Sequence, residues 1–219
     1  MISLDSRLSL CASFVRNGCR LADIGTDHAY LPVYLCQKGV IKSAIAADIN
    51  PDPLKSGQKT IAEAGLDGVI QTRLSDGLEK IAPGEADDIV IAGMGGELIA
   101  KIIGSWEYSR DSEKHFILQP MTKSELLIEW LCKNGFEIID QDCCVASNKC
   151  YTVLLVQYSG EPQNHGETFF YLGRLEPQKN GTHLRFVESH IQRLQKKANG
   201  DARFAALASE LKEKLYGDC

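Results

Sequence analysis

The sequence predicts an α/β fold: a seven-stranded, mostly parallel sheet flanked by helices, followed by a C-terminal α-helical coiled-coil hairpin. Between residues 20 and 158, short runs rich in Ile, Val and Ala alternate with amphipathic stretches, a pattern typical of βαβ units. After residue 183, apolar residues recur at alternating steps of three and four, the spacing of a coiled-coil seam. These patterns predict a sheet domain over residues 1–160 and a helical arm over residues 161–219.

The elements of the predicted sheet domain follow one another along the chain. Before the sheet, a helix is predicted from four apolar residues at helical spacing: Leu4, Leu8, Cys11 and Val15. The predicted strands are Arg20–Ile24, Ser43–Ile49, Val69–Leu74, Asp87–Ala92, His115–Gln119, Phe136–Val145 and Tyr151–Tyr158. The predicted helices between them are Leu31–Lys38, Pro53–Ala64, Glu97–Ile103 and Lys123–Asn134. No helical pattern separates the last two strands, so we expect an antiparallel hairpin around Asn148.

The predicted arm begins after a linker, Ser159–Gly166, which contains two glycines and a proline. The seam of its first helix is Leu184, Val187, Ile191, Leu194 and Ala198. Gly200 is suited to end that helix and Asp201 to cap the next one. The apolar face of the second helix is Phe204, Leu207, Leu211 and Leu215. Two helices joined by so short a turn are expected to pack antiparallel.

Composition narrows the classes of protein that this chain can belong to. Its 219 residues are 44% hydrophobic and 24% charged, which is typical of globular domains and excludes disordered and low-complexity chains. No apolar run approaches the roughly 20 residues of a membrane span, and the first residues do not resemble a signal peptide. We therefore expect a cytoplasmic protein. The eight cysteines include no CxxC pair, so we expect free thiols and no metal site.

Charge is distributed unevenly along the chain. The stretch from Arg174 to Arg203 carries seven basic and three acidic residues, although the whole chain has a net charge of −5. Such a stretch is either a solvated helical face or a surface that contacts phosphate groups. Composition alone leaves both interpretations open.

The first predicted strand ends in a loop that carries two carboxylates, Asp23 and Asp27, around Gly25 and Thr26. Nucleotide-type cofactors bind at the carboxyl ends of parallel strands, and glycine lets the backbone approach a ligand closely. The GxGxxG pattern that holds a pyrophosphate is absent from this loop. Carboxylates repel a pyrophosphate but suit a ligand with an ammonium and a sulfonium group, such as S-adenosylmethionine.

Acidic residues also follow the next two strands. Asp48, followed by Ile49, is placed to accept hydrogen bonds from both hydroxyls of a ribose. Asp76, followed by Gly77, is placed to accept one from an adenine amino group. Each carboxylate taken singly is equally well explained as a helix cap or a turn residue. Three acids at three successive strand ends favour a binding site.

Two further strand ends complete the predicted site. The fourth strand ends in Gly93-Met94-Gly95-Gly96, where the glycines allow close backbone approach to a ligand or are those of a plain tight turn. The fifth ends in Gln119, whose amide offers the donor and acceptor that an adenine edge requires.

Five stretches of the sequence carry a resemblance to a known protein family. They are LADIGTDHAYLP (21–32), AADINPDPL (46–54), SDGL (75–78), IVIAGMGGELI (89–99) and ILQP (117–120). On these motifs the chain resembles the bacterial tRNA (adenine22-N1)-methyltransferase family. The resemblance implies a Rossmann-like class I methyltransferase fold with an added helical arm, and methyl transfer from S-adenosylmethionine to N1 of a tRNA adenine. One departure is Met121, where members of that family often have Asn, and it leaves recognition of the target base in question.

For such a reaction, we expect roles for particular residues. Asp27 and His28 are expected to orient the target base together with Gln119, while Tyr30 either stacks on that base or packs in the core. Four basic residues are expected to grip the tRNA backbone: Arg185, Arg193, Lys196 and Lys197. The cofactor site is expected to comprise Asp23, Gly25, Thr26, Asp48, Ile49, Asp76, Gly77, Gly93 and Met94. The protein is expected to act as a monomer, without a metal and away from membranes.

Two other classes of function remain open on the sequence. One is a methyltransferase acting on a small molecule or a protein, for which the basic arm has no use. The other is an interaction protein without catalysis, whose helical hairpin binds a partner. A nicotinamide dehydrogenase is disfavoured because the diphosphate-binding loop is missing.

Overall fold

The computed structural model describes residues 2–217 and contains one mixed sheet of seven strands. In chain order the strands are β1 (Arg20–Ile24), β2 (Ser43–Asp48), β3 (Ile70–Leu74), β4 (Asp88–Gly95), β5 (His115–Thr122), β6 (Phe136–Ala146) and β7 (Lys149–Tyr158). Their spatial order is β3-β2-β1-β4-β5-β7-β6. The first five run parallel, whereas β7 is antiparallel to both β5 and β6. The predicted Rossmann-like fold class is confirmed.

Of the described helices, the first precedes β1, the next four lie between strands of the sheet, and the last three follow β7. They are α1 (Ser6–Phe14), α2 (Tyr30–Gln37), α3 (Pro51–Glu63), α4 (Gly96–Ser105), α5 (Ser124–Lys133), α6 (Glu167–Leu172), α7 (Gly181–Lys197) and α8 (Ala202–Tyr216). Each predicted helix is present, with ends shifted by a few residues. β4 and β5 run three residues further than expected, because they continue to pair across a bulge near Gly93 as far as Gly95 and Thr122.

Two apolar clusters cover the two faces of the sheet. One joins alternate residues of the central strands, such as Ile89 and Ile91, to α4 and α5. The other joins the opposite faces, through residues such as Val90, to α1 and α2. β1 and β4 are buried on both sides, as parallel strands under helices are, and this fixes the strand ends in place.

The β6–β7 hairpin turns at Ser147 and Asn148, which both have positive φ, at 46° and 61°. Two successive residues with positive φ give the turn geometry that suits a two-residue hairpin loop, so the hairpin predicted around Asn148 is confirmed.

The arm packs against the sheet domain. A third apolar cluster fills the space between α7 and α8 and continues to Cys143 on β6 and to Tyr171 on α6. The helix α6 was not predicted; its residues Phe169 and Phe170 pack on the cluster under α4 and α5. His183 of α7 bonds Asp142 of β6 at 2.8 Å. These contacts hold the arm close to the hairpin, while the division at residue 160 stays a prediction.

The described cysteines are all free, as predicted for them, and the eighth, Cys219, lies outside the described residues. Burial raises the pKa of the Cys19 thiol to about 12, which makes it an inert apolar side chain. Within residues 2–217 no helix has the length and apolar character of a membrane span. The same residues hold no group of His, Cys, Asp or Glu suited to a metal ion.

Candidate functional site

A cleft of about 420 Å³ opens where β1, β4 and β5 end, and we call it the strand-end cleft. It is lined by Asp5, Arg7, Leu8, Asp23, Gly25, Thr26, Asp27, His28, Tyr30, Leu31, Ala92, Gly93 and Gln119. The carboxyl edge of the sheet thus brings together the first, fourth and fifth strand ends that the sequence singled out. α1 supplies one wall, which the sequence did not predict.

The loop after β1 is folded tightly, and several of its backbone N–H groups are hydrogen-bonded within the protein. The N–H groups of Gly25 and Thr26 both donate to the carbonyl of Ala47, at 2.8 and 3.0 Å. Gly25 has φ +79°, and a Cβ there would overlap the methyl of Met94. Ala29 is buried with φ 55°, a conformation unfavourable for a residue with a Cβ, and its N–H donates to the Thr26 hydroxyl. These amides cannot hold a phosphate, which agrees with the absence of a pyrophosphate motif.

Asp23 is the buried carboxylate of the strand-end cleft, with only 7% of the residue exposed. Burial raises its pKa to about 6, and the nearby Asp48 carboxylate adds to that effect, although hydrogen bonding from Thr26 opposes it. A desolvated carboxylate without a basic partner is stabilised by a positively charged ligand. The strand-end cleft therefore fits a cation better than an anion.

Asp48 and Asp76 lie beyond the strand-end cleft, at the ends of the two outer parallel strands. Asp48 accepts the N–H of Asn50 at 2.7 Å, and its backbone carbonyl accepts the N–H of Ser75 at 2.9 Å, which ties the two strand ends together. Ile49 beside it is 57% exposed. Asp76 lines a smaller pocket together with Leu98. A carboxylate next to exposed apolar side chains suits a ribose and a flat base.

Gln119 is 1% exposed, and both ends of its amide are bonded within the protein. Its side-chain oxygen accepts the N–H of Gly93 at 3.0 Å, while its nitrogen donates to the carbonyl of Pro120 at 3.1 Å. The residue expected to contact an adenine edge therefore fixes the bulge of β4 at Gly93 against β5. Its direct contact with a base stays a prediction.

Asp27, His28 and Tyr30 form the outer rim of the strand-end cleft. The His28 and Tyr30 rings are stacked, with centroids 5.0 Å apart and planes inclined by 18°. His28 Nε2 lies 3.3 Å from an Asp27 carboxylate oxygen. Tyr30 is 42% exposed, so it does not pack in the core, the alternative that the sequence left open. The Asp27–His28 contact helps to hold the stacked rings in place.

A second cavity, of about 480 Å³, separates the ends of β5 and the β6–β7 turn from α7. Five basic side chains line it, and we call it the basic groove: Lys123, Lys149, Arg185, Arg193 and Lys196. Arg185 donates to the Asn148 backbone and side chain, both at 2.8 Å, which fixes it at the hairpin turn. Lys197 points elsewhere, over the Phe204 ring at 5.4 Å, and lines a different cavity. Three of the four basic residues predicted for the arm thus share one surface.

Arg7 and Tyr151 meet between the strand-end cleft and the basic groove, although no motif or spacing in the sequence points to either residue. Arg7 lines the strand-end cleft, and its guanidinium lies 5.7 Å from the centre of the Tyr151 ring, which lines the basic groove. Residues 144 positions apart meet here because α1 packs beside β5, β6 and β7. No local spacing in the chain predicts such an encounter.

Comparison with protein families places most of the chain in one of them. Residues 4–154 match the family described as "Methyltransferase domain". Over 156 residues the chain is 40% identical to the tRNA (adenine(22)-N(1))-methyltransferase of Bacillus subtilis strain 168, an alignment covering 71% of this chain and 66% of that protein. The matched part includes all the strand ends described above.

Solved structures extend the similarity to the arm. A putative tRNA (m1A22) methyltransferase of Streptococcus pneumoniae, solved in complex with S-adenosyl-L-methionine, is 32% identical, with a TM-score of 0.88 over 99% of this chain and 100% of that one. The B. subtilis m1A22 tRNA methyltransferase is 31% identical, with a TM-score of 0.82 over 98% of this chain and 97% of that one. Both cover the helices after residue 160 as well as the sheet.

Proposed function

This chain belongs to the family of tRNA (adenine(22)-N(1))-methyltransferases, and we propose that it transfers a methyl group from S-adenosylmethionine to N1 of adenine 22 in tRNA. The observation that carries this proposal is the buried carboxylate of Asp23, which faces a cleft whose loop amides are already bonded to Ala47. That combination favours a cationic ligand over a pyrophosphate.

The cofactor site follows from the positions of the carboxylates. When bound, S-adenosylmethionine supplies a methyl group on a positively charged sulfur. Asp23 would balance the positive charge at the methionine end. Gly25 lets the loop pack tightly beside it, because a Cβ there would overlap the methyl of Met94. Asp48 would accept hydrogen bonds from the ribose, and Ile49 would cover one face of the adenine.

The chemical step requires the protein mainly to align adenine N1 with the methyl group. The N1 atom of neutral adenine carries a free lone pair, so no side chain has to remove a proton before attack. The stacked pair of His28 and Tyr30 is placed to hold the base at the rim, while the walls of the cleft limit water. Positive charge develops on the base as the bond forms, and the carboxylate of Asp27 would stabilise it there.

The basic groove gives the RNA backbone a place to bind. Adenine N1 lies on the pairing edge, so the base has to leave its stack, which costs a few kcal/mol that backbone contacts can offset. Arg185, Arg193 and Lys196 present positive charge on one side of the groove, next to the strand-end cleft. We infer that they contact tRNA phosphates, and that the protein acts as a monomer in the cytoplasm, where tRNA is modified.

Purified protein, S-adenosylmethionine and an unmodified tRNA transcript test this function, with mass spectrometry of the resulting nucleosides. We expect one equivalent of 1-methyladenosine per tRNA, and none when adenine 22 is replaced by guanine. An Asp48→Ala variant should lose most of the activity through weaker cofactor binding. Methyl transfer to a small molecule or protein but not to tRNA would contradict the proposal.

A further inference from the structure

Arg7 lies at the border between the strand-end cleft and the basic groove. It lines the strand-end cleft from the first turn of α1. Its guanidinium also contacts two side chains that line the basic groove: Nη1 lies 3.1 Å from the sulfur of Met121, and the group lies over the Tyr151 ring. It is therefore placed where a nucleotide whose base enters the cleft must turn into the groove.

Asp5 holds Arg7 in this position. Arg7 Nε and Nη2 both donate to one carboxylate oxygen of Asp5, at 3.1 and 2.7 Å. The other oxygen accepts the N–H of Leu8 at 2.9 Å and caps α1. Burial alone would raise the pKa of Asp5, but the Leu8 N–H and the Arg7 guanidinium lower it, so the carboxylate stays ionised. The guanidinium is thus anchored to a helix end.

The third nitrogen of Arg7 has a weak partner. Nη1 faces the thioether of Met121, and thioether sulfur is a poor hydrogen-bond acceptor compared with a phosphate oxygen. Met121 is 36% exposed, so a ligand can reach this end of the guanidinium. A flat cation that is anchored on one side and weakly bonded on the other is suited to take a phosphate.

We propose that Arg7 binds a phosphate flanking the target adenosine and thereby positions that base in the strand-end cleft. The proposal rests on the proposed tRNA methylation and identifies where the target nucleotide enters the strand-end cleft. In an extruded nucleotide the base and its own phosphates lie a few ångströms apart, so the group between the cleft and the groove contacts those phosphates. Arg7 is a positioning residue, because it acts on the backbone and leaves the reacting atoms untouched.

A double-mutant cycle between protein and RNA tests this assignment. Synthetic tRNA carries one uncharged methylphosphonate, placed either 5′ or 3′ of the target adenosine, and is compared with unmodified tRNA on wild type and on Arg7→Gln. We expect the methylphosphonate at one of the two positions to lower kcat/KM of the wild type about tenfold, the loss of one charge-assisted contact. In Arg7→Gln the same replacement should cost less than about twofold, because the contact is already gone.

Two controls make the outcome decisive. Arg110→Gln removes an exposed arginine from the connection between α4 and β5, which leads into the amino end of β5, away from the strand-end cleft. The full methylphosphonate effect should remain in this variant. Affinity for S-adenosylmethionine should stay within about twofold of wild type in Arg7→Gln, since no carboxylate of the cofactor site changes. If Arg7→Gln does not fold, Arg7→Met, which keeps a long side chain without the charge, enters the same cycle.

Equal methylphosphonate effects in wild type and Arg7→Gln at both positions would overturn the assignment of Arg7. The same double-mutant cycle is also carried out with the dissociation constant for RNA at fixed salt as its readout, so that it reports on Arg7 independently of methyl transfer. Failure of the proposed function has a different signature, which is the absence of methylation of unmodified tRNA by the wild type.

Discussion

The side-chain oxygen of Gln119 accepts the backbone N–H of Gly93 at 3.0 Å, and this bond joins β5 to the bulge of β4. Gln119 is almost fully buried, and its nitrogen is bonded to the Pro120 carbonyl. The β4 bulge that lines the strand-end cleft is therefore positioned by a side chain from the neighbouring strand.

Replacing Gln119 by Leu should loosen this bulge. The Gly93 N–H would lose its partner, which costs about 1–3 kcal/mol for a buried group and less where water reaches it. We expect a lower free energy of unfolding in urea and weaker binding of S-adenosylmethionine by calorimetry. Gln58→Leu, at an exposed position on α3, is the control and should leave cofactor binding unchanged. Unaltered cofactor affinity in Gln119→Leu would show that the bond does not position the bulge for cofactor binding.

Asp23→Asn should stabilise the ligand-free protein at neutral pH while weakening cofactor binding. The folded protein holds the Asp23 proton up to about pH 6, against a usual carboxyl pKa of 3.8, so wild-type stability falls as pH rises between these values. Above pH 6 the buried charge costs at most about 3 kcal/mol, which asparagine avoids. Urea unfolding of both proteins at about pH 4.5, in the lower part of that window, and at about pH 7.5, above it, measures the difference. A stability gap that is the same at both pH values would contradict this explanation.

Lys196 and Lys197 are neighbours in the chain but face different cavities, which makes them a matched pair. Lys196→Gln should weaken tRNA binding and reduce the slope of log affinity against log salt by about one, as the loss of one phosphate contact does. Lys197→Gln removes the same charge from the side facing Phe204 and should change that slope far less. Filter binding between low and physiological salt compares them. Equal slopes for the two variants would place the RNA elsewhere on the arm.

His190 makes the packing of the arm sensitive to acid. It is buried among Tyr171, Phe186 and Ser124, and burial, with Arg193 and Lys197 nearby, lowers its pKa to about 3. Because the unfolded chain takes up this proton near pH 6.5 and the folded one does not, stability falls as pH drops below 6.5, by at most about 1.4 kcal/mol per pH unit.

His190→Phe should remove that part of the pH dependence. The phenyl ring keeps the aromatic contacts with Tyr171 and Phe186, so the fold should persist at neutral pH. The measurement is the difference in urea unfolding free energy between the two proteins at several pH values below and above neutrality. A difference that does not change with pH would show that His190 titrates normally.

Much of the fold follows from the sequence because periodicity reports burial. β1 and β4 are buried on both faces and therefore appear as continuous apolar runs, and Asn148 marks the hairpin turn. α6 was missed because it has only six residues, and its apolar pair Phe169 and Phe170 gives no helical period. Its existence depends on the core beneath it, which only the folded chain provides.

The site was predictable to the extent that strand ends converge at one edge of a parallel sheet. Asp23, Gly25 and Gly93 meet there for that reason alone. The directions of single side chains were not predictable: Lys197 turns away from Lys196, and Gln119 bonds inward. Arg7 reaches the site through the packing of a helix far away in sequence, which no local pattern encodes.

A crystal structure with S-adenosylhomocysteine tests the central claim most directly. We predict its amino group and sulfur in the strand-end cleft near Asp23 and Gly25, its ribose hydroxyls on Asp48, and its adenine between Ile49 and the Ser75–Gly77 turn. A ligand bound in the basic groove, or crystals that take up none at saturating concentration, would contradict the account.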